Sequence, residues 1–317
     1  MLRLFFLLVL FSLNASAQNW PARPVKIVVP FSPGGFADSG ARAVSDKLAA
    51  RLGQPVLIEN KVGASGNIGT EMVAKSSPDG YTLLLAFDGT MVINPHVFAK
   101  IPFDTVKDFQ PVTKLGDAPV IVVAHPSVSA KNLRELIAAA KAKPNSFSYG
   151  TSGTGNTPHL VGEMLNLRAG TDFQHIPYKG GSQAVGDAVG GQIPLVFTAI
   201  ASAGQFIRAG KLKALGITSR VRAPSLPDVP TFIESGLPDF VVNSWVGILA
   251  PAKTPRTIVD RLQRDLAAVL KEPEVRERFA VLGNEPVGNT PDEYAAQIKA
   301  DLEQWGAIVK KAGVRIE

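Results

Sequence analysis

Short apolar runs and helical apolar stripes alternate along most of the chain. The run from Val25 to Pro30 predicts a buried strand. After it, Ala41, Val44, Leu48 and Leu52 recur at helical spacing and mark one buried face. A strand followed by an amphipathic helix, repeated along the sequence, predicts an α/β fold.

The same alternation predicts the remaining elements. Further strands are predicted at residues 56–58, 82–87, 109–115, 119–124, 146–149, 173–176, 195–198 and 214–217. Helices are predicted at residues 132–143 and 158–167 and around Phe206. A proline-rich loop follows at residues 224–238. Two apolar stripes near the end of the chain are typical of core-facing helices. The first comprises Ile258, Leu262, Leu266 and Val269. The second comprises Tyr294, Ile298, Leu302, Trp305 and Val309.

Two apolar extended segments, residues 118–126 and 242–251, lie near the junctions between two α/β blocks. If both segments cross between the blocks, the second block is an insertion and the crossings form a hinge. The prediction is a discontinuous lobe 1, residues 18–123 and 244–317, and a lobe 2, residues 124–243. We expect a ligand in the cleft between the two lobes.

The first 17 residues differ in character from the rest of the chain. Arg3 is followed by an apolar run and then by Ala15-Ser16-Ala17, which is typical of a secretory signal peptide (residues 1–17) cleaved after Ala17. The chain has no cysteine, so we expect neither a lipid anchor nor disulfides. In a Gram-negative bacterium the expected location is the periplasm.

Composition and charge narrow the range of partners. The net charge is +6, but Lys and Arg are dispersed and no run of five or more occurs. A nucleic-acid surface is therefore not indicated. We expect a monomer that binds a small molecule.

Sequence motifs for catalysis or metal binding are absent. The four histidines are His96, His125, His159 and His175. No two of them stand at the spacing that places two metal ligands on one face of a helix. Neither a Gly-x-Ser-x-Gly turn nor a Gly-x-x-x-x-Gly-Lys-Ser/Thr loop occurs. We therefore predict no catalytic residue, no metal and no cofactor.

One stretch, GTSGTG at residues 150–155, resembles part of a dinucleotide-binding fingerprint. Pro158 stands where the third glycine of that fingerprint should be, and Asp172 precedes the next strand instead of ending it. A Rossmann cofactor is therefore not predicted.

Two strand–glycine–helix turns remain as candidate anion sites. In FSPGGFADSGAR, Gly34 and Gly35 allow close approach of the backbone to a ligand. GTSGTGNTPHL has His159 in its first helical turn and neutral donors at Thr151, Ser152, Thr154, Asn156 and Thr157. Two such helix ends facing each other would hold both ends of a dicarboxylate without arginine. The alternative is two ordinary turns with Asp38 and Thr157 as helix caps.

Three further loops could complete the wall of such a site. Asp88, Gly89 and Thr90 follow a strand, and Tyr178, Lys179 and Gly180 precede a helix. The third loop also precedes a helix and contains Gly63, Ser65, Gly66 and Asn67. Tyr178 could cover an apolar part of a ligand and Lys179 could supply charge, but each is equally consistent with plain surface.

Several motifs occur in order along most of the chain. They read WPARPVKIVVPFSPGGFAD, ENKVGASGNIGT, SPDGYTLLLA, YGTSGTGNTPHL, IPYKGG, GGQIPLVF, AGKLKALGIT, LPDVPTFIESG and WVGILAPAKTP. Together they resemble the Bug (TctC-like) extracytoplasmic solute receptors, which are the binding proteins of tripartite tricarboxylate transporters.

The resemblance implies a type II periplasmic-binding-protein fold, with two α/β lobes joined by a two-strand hinge and a ligand cleft between them. It also implies that backbone amides and hydroxyls of the two turns hold carboxylates. Carried over by position, these residues are Pro33, Gly34, Gly35, Phe36, Ala37 and Asp38 in lobe 1 and Thr151, Ser152, Gly153, Thr154, Asn156 and Thr157 in lobe 2. Asp38 matches the position that meets a ligand amino group or helps to fix the loop.

One position departs from the family pattern. Where many relatives carry an aspartate after GGQIPLV, this chain has Phe197-Thr198-Ala199. A neutral Thr198 favours an anionic or apolar ligand over one with an amino group.

The predicted function is a receptor for a small carboxylate, either a di- or tricarboxylate or an aromatic acid. The receptor would deliver its ligand to the membrane components of a tripartite tricarboxylate transporter or to a sensor kinase. The alternatives are an exported hydrolase with a dispersed catalytic set and a structural protein of the cell envelope.

Overall fold

The computed structural model describes residues 20–315 of the chain. The predicted signal peptide and its cleavage site therefore lie outside the described residues. Within residues 20–315, no helix is both long enough and apolar enough to cross a membrane.

The strands are numbered β1 to β10 in chain order. Their bounds are Val25–Val29, Val56–Asn60, Thr82–Phe87, Phe109–Ala124, Ser148–Thr151, Gln174–Pro177, Leu195–Ala199, Lys213–Ile217, Asn243–Pro251 and Glu285–Pro286. The helices α1 to α10 span Phe36–Leu52, Asn67–Ala74, Asn94–Val97, Leu133–Ala142, Thr157–Ala169, Gly181–Val189, Ile200–Arg208, Arg256–Val269, Pro273–Val281 and Pro291–Ala312. A 3₁₀ turn at Ala64–Gly66 precedes α2, and a π-helical turn at Gly89–Ile93 precedes α3.

Two sheets share strand β4. The first has the order β2-β1-β3-β9-β4, in which β1 runs parallel to β2 and β3, and β9 is antiparallel to its neighbours. The second has the order β6-β5-β7-β4-β8, in which β5 is parallel to β6 and β7, and β4 is antiparallel to β7 and β8. The structure is therefore a two-lobed α/β fold, as the strand–helix alternation predicts.

One difference concerns the segments 109–115 and 119–124, which form the single 16-residue strand β4 instead of two strands. Its first part pairs with β9 as far as Pro119, opposite Asn243, and its last part pairs with β7 from Val120 onward. Proline has no N–H to donate, so Pro119 fits the position where the strand changes partners. The lobe boundaries at residues 123–124 and 243–244 stay a prediction.

The core follows the two-residue period of the strands. In β4, Val120 and Val122 belong to one apolar cluster, and Ile121 and Val123 belong to another on the opposite face. The first of these clusters continues from lobe 1 into lobe 2, and helix α10 packs against both β4 and α5. Both lobes therefore contribute apolar side chains to one cluster beside strand β4.

Close packing of α10 on the central strands leaves no room beside Gly247 in β9. A Cβ added at Gly247 would lie 2.3 Å from the Tyr294 Oη atom and 2.9 Å from the Thr113 carbonyl oxygen. Because overpacking of a dense core is costly, we expect Gly247→Ala to lower the free energy of unfolding by about 1–3 kcal/mol. Chemical denaturation with an unchanged m-value measures this loss.

Gly186 provides the matched control, since it lies within helix α6 and an added Cβ there would meet no atom within 4 Å. We expect Gly186→Ala to raise the free energy of unfolding by about 0.5–1 kcal/mol, because alanine has the higher helix propensity. Equal effects of the two substitutions would contradict the packing described for Gly247.

Candidate functional site

The two lobes enclose a small cavity where β1 and β3 of lobe 1 end opposite β7 and α5 of lobe 2. Its volume is about 30 Å³. The lining carries no charged side chain and comprises Phe31, Gly35, Phe36, Ala37, Phe87, Pro119, Val120, Ser152, Pro158, Gly181, Thr198, Ala199, Ser202 and Ser244. Ligands of α/β proteins bind at such an edge, outside the carboxyl ends of parallel strands.

Four helix N-termini line this cavity. Helix α1 contributes Gly35 to Ala37, α5 contributes Pro158, α6 contributes Gly181, and α7 contributes Ser202 with the preceding Ala199. The first N–H groups of a helix have no partner within it, and each N-terminus carries about half a positive charge. The cavity is therefore an electropositive site without a lysine or arginine.

The two walls of the cavity differ in chemistry. Lobe 1 presents three phenyl rings, and the Phe87 ring centroid lies 5.0 Å from that of Phe31 and 6.2 Å from that of Phe36. Lobe 2 presents the hydroxyls of Thr198 and Ser202, which are buried and have no hydrogen-bond partner among the described residues. One wall is apolar and the other offers neutral donors.

A second, open space of about 460 Å³ lies at the mouth of the cleft. It is lined by Gly63, Ala64, Ser65, Gly66, Ser152, Gly153, Thr154, Pro177, Tyr178, Lys179 and Gln183. Ser152 lines both spaces, so the mouth and the cavity are neighbours. Tyr178 donates to the Asp187 Oδ2 atom over 2.8 Å, and burial together with Asp187 raises its pKa to about 12.

The residues predicted from the sequence divide into three groups by position. Those that line the cavity are Gly35, Phe36, Ala37, Ser152 and Thr198. Those that line the mouth are Ser152, Gly153, Thr154, Tyr178 and Lys179. Those that line neither space are Pro33, Gly34, Asp38, Asp88, Gly89, Thr90, Thr151, Asn156, Thr157 and His159. Several members of the third group hold the two turns in place through hydrogen bonds outside the cavity lining.

Asp38 fixes the turn of lobe 1 instead of facing the cavity. Its buried carboxylate accepts hydrogen bonds from the Gly34 N–H (2.9 Å), Asn60 Nδ2 (2.9 Å) and Arg42 Nε (2.8 Å). Burial acts to raise the pKa of Asp38, but Arg42 and the N–H donors outweigh it, and the net shift is downward. Asp38 therefore stays ionised as a structural anion.

Neither Asp38 nor Thr157 caps its helix, which corrects the alternative that the sequence suggests. The N-cap of α1 is Gly35, and Asp38 lies in the first turn. The N-cap of α5 is Asn156, whose Oδ1 atom accepts from the His159 N–H at 3.0 Å. Thr157 is instead the first residue of the helix, and its hydroxyl donates to Asp88 of lobe 1.

Asp88 connects the two lobes. Its carboxylate is fully buried and accepts hydrogen bonds from the Thr157 hydroxyl of lobe 2, the Ser244 hydroxyl (2.7 Å) and the Gly89 N–H (2.8 Å). Burial raises the pKa of Asp88 to about 7, and the three donors oppose that rise only in part. The residue is thus part of the interlobe contact.

His159 and His175 support the turn of lobe 2. Their rings stack with centroids 3.9 Å apart. The His159 Nδ1 atom accepts from the Gly155 N–H at 3.1 Å, and the His175 Nε2 atom lies 2.8 Å from the Thr151 hydroxyl oxygen. Burial lowers the pKa of His159 to about 4, and burial together with His159 lowers that of His175 to about 3. Both rings are therefore neutral at neutral pH.

The lobes also touch at the lip of the cleft, at Gly180, which belongs to a predicted wall loop, and at Ser32 and Ser182, which are not among the predicted site residues. The Ser182 hydroxyl donates to the Pro33 carbonyl oxygen at 2.8 Å and lies 3.2 Å from the Ser32 hydroxyl. Gly180 lies so close to lobe 1 that an added Cβ would be 1.9 Å from the Ser32 Oγ atom. The pair of glycines in KGGSQ is the signal that could have identified this contact.

Comparison with known proteins adds a family relationship. Residues 40–314 match the family described as "Tripartite tricarboxylate transporter family receptor". Protein BugT of Bordetella pertussis is 37% identical over 303 residues, which cover 95% of this chain and 93% of that protein.

Two solved structures extend the similarity to the fold. Periplasmic binding protein BugD is 37% identical with a TM-score of 0.90, and the match covers 94% of this chain and all of that chain. The R. palustris protein Rpa4515, whose structure is described as containing adipate, is 32% identical with a TM-score of 0.91, and the match covers 94% of this chain and 99% of that chain.

The buried Asp88 carboxyl gives the stability of the protein a specific pH dependence. Its native pKa of about 7 exceeds the ordinary value of 3.8, so its contribution to stability is fully present below about pH 4 and is lost as pH rises through 7. We expect Asp88→Asn to remove this loss, which amounts to at most about 1.4 kcal/mol per pH unit. Denaturant unfolding at several pH values between about 5 and 8 measures the difference from wild type.

Asp46→Asn serves as the control for this experiment, because Asp46 is exposed in helix α1. This control should keep the pH dependence of the wild type. If Asp88→Asn also kept it, the buried carboxyl would not be the group that titrates.

Proposed function

The chain belongs to the tripartite tricarboxylate transporter receptor family, and we propose that it captures a small carboxylate between its two lobes. Its relatives are periplasmic solute-binding proteins, so the chain is a binding protein and not a hydrolase. After export to the periplasm it would pass its ligand to the membrane components of a transporter of this class, or present it to a sensor kinase. It would act as a monomer.

The observation that carries the proposal is the convergence of four helix N-termini on one enclosed cavity. The N–H groups of Gly35, Phe36 and Gly181 and the hydroxyls of Thr198 and Ser202 can donate hydrogen bonds to an anion there. Hydrogen bonds to a charged acceptor are stronger than those between neutral groups. Because no cation forms an ion pair in the cavity, the ligand can still be released.

Closure of the lobes would couple capture to a change of shape. The hydrogen bonds of Ser182 with Pro33 and of Thr157 with Asp88 join the two lobes only when the cleft is closed. A ligand that contacts both walls favours the closed arrangement by its additional contacts. The cavity of about 30 Å³ has room for about two water molecules, so a ligand would hold the lobes slightly further apart than in this structure.

The R. palustris relative with adipate supports a carboxylate as the class of ligand for this chain. A binding screen tests the proposal directly. We expect at least one of succinate, adipate, citrate, hexanoate, benzoate and terephthalate to stabilise the mature protein by roughly 2.7 kcal/mol at about 100 times its Kd. A thermal-shift assay measures the stabilisation.

The matched control is the corresponding amide of each acid, which keeps the shape and lacks the charge. The amides should give no shift, since the helix ends stabilise a negative charge. If no acid raises the melting temperature, and mass spectrometry finds no ligand bound to the purified protein, the proposal is contradicted. A structural envelope protein is then favoured.

A side chain at Gly180 should interfere with closure. The backbone there is extended and accepts any residue, but a Cβ would lie 1.9 Å from Ser32 Oγ across the cleft. We expect Gly180→Val to weaken carboxylate binding by about tenfold or more, because the closed state loses at least about 1.4 kcal/mol. Isothermal titration calorimetry measures affinity, and small-angle scattering with ligand measures closure.

Gly186→Ala, in the same helix but facing open space, should bind like the wild type. The melting temperature of Gly180→Val should change little, because the obstruction lies between the lobes and not within one. Wild-type affinity and compaction in this variant would mean that the lobes do not meet at Gly180 when ligand is bound.

A further inference from the structure

The hydrogen-bond donors of the cavity gather in one corner. A Cβ added at Gly35 would lie 3.9 Å from the Gly181 nitrogen, so the starts of helices α1 and α6 are neighbours across the cleft. A Cβ added at Gly181 would lie 2.8 Å from Thr198 Oγ1 and 3.0 Å from Ser202 Oγ. Two helix ends and two hydroxyls without partners therefore point to one place.

The other two polar side chains of the lining differ in what they can still donate. The Ser244 hydroxyl donates its proton to Asp88 at 2.7 Å, whereas the Ser152 hydroxyl accepts from Asn156 Nδ2 at 2.9 Å and keeps its own proton. Thr198 and Ser202 are only 4% and 5% exposed, and no described residue bonds to their hydroxyls. The cavity thus concentrates its donors in one corner, and Ser152 adds a single hydroxyl outside it.

Away from that corner the lining is apolar. Phe31, Phe36 and Phe87 form a continuous aromatic wall, with Phe87 in edge contact with the other two rings. Pro119, Val120 and Pro158 complete the apolar part of the lining. A second carboxylate placed against these groups would lose its water without gaining a partner, which is costly.

We propose that the ligand is a monocarboxylate with an apolar body, whose carboxylate meets the donor corner and whose body lies against the three phenyl rings. The inference rests on the proposed function and narrows its ligand class. Phe36 is the residue that determines this preference, because it begins helix α1 and joins the donor corner to the aromatic wall.

Two matched ligand pairs test the class. Hexanoate and adipate share a six-carbon chain, and benzoate and terephthalate share a ring, so each pair differs only in the second carboxylate. We expect at least one monocarboxylate to bind about tenfold more tightly than its partner, as measured by isothermal titration calorimetry. This comparison uses the wild-type chain and needs no variant.

Three variants locate the preference. Phe36→Asn should reduce monocarboxylate affinity by about tenfold and remove the preference, whereas Phe36→Leu, which keeps an apolar surface, should retain most of it. Thr198→Val removes a donor and keeps the shape, so it should weaken both members of a pair by a similar factor, about fivefold or more. Circular dichroism checks that each variant is folded.

The possible results distinguish a failure of this inference from a failure of the proposed function. If in neither pair the monocarboxylate binds more tightly than its dicarboxylate partner, for example because the second carboxylate reaches Lys179 at the mouth, the inference is overturned and a carboxylate receptor remains. The same holds if only citrate or an acidic amino acid binds. If no carboxylate binds at all, the proposed function itself fails.

Discussion

Strand β4 is the constraint on which the arrangement of the molecule depends. Its 16 residues pair with β9 in one sheet and with β7 and β8 in the other. Its extended backbone, with a rise of about 3.3 Å per residue, sets the separation of the two sheets, and its partner changes at Pro119. The second connection, from Val242 to Asn243, lies opposite that point. Together they bring the ends of β1, β3 and β7 to one cleft.

The buried titratable side chains near that cleft support it from behind. Asp38 holds the turn of lobe 1, the stacked His159 and His175 hold the turn of lobe 2, and Asp88 joins the lobes. Each of these groups is engaged by protein donors or acceptors, and none lines the cavity. A buried charge needs partners, and the structure supplies them away from the ligand. The cavity in which we propose the ligand to bind therefore presents only helix ends, hydroxyls and apolar surface.

Much of the fold and part of the site could be predicted from the sequence. The apolar runs identify β1 and β3 to within a residue, and the Gly34-Gly35 turn was placed correctly before α1. No sequence motif points to Gly181 or Ser202 as a site residue, although Gly181 begins α6 and Ser202 lies in the first turn of α7. Their role depends on α6 and α7 meeting α1 across the cleft, and no local pattern contains that contact.

The sequence by itself determined the α/β class, the strand–turn–helix units and the absence of cysteine chemistry, because these follow from periodicity and composition. Tertiary structure alone decided which polar residues face the cavity. Asp88 and Thr157 look like binding residues along the chain, yet they bond to each other because the two lobes meet at that point. Thr198 and Ser202 keep free hydroxyls for the converse reason, since within residues 20–315 the fold brings no hydrogen-bond partner to them.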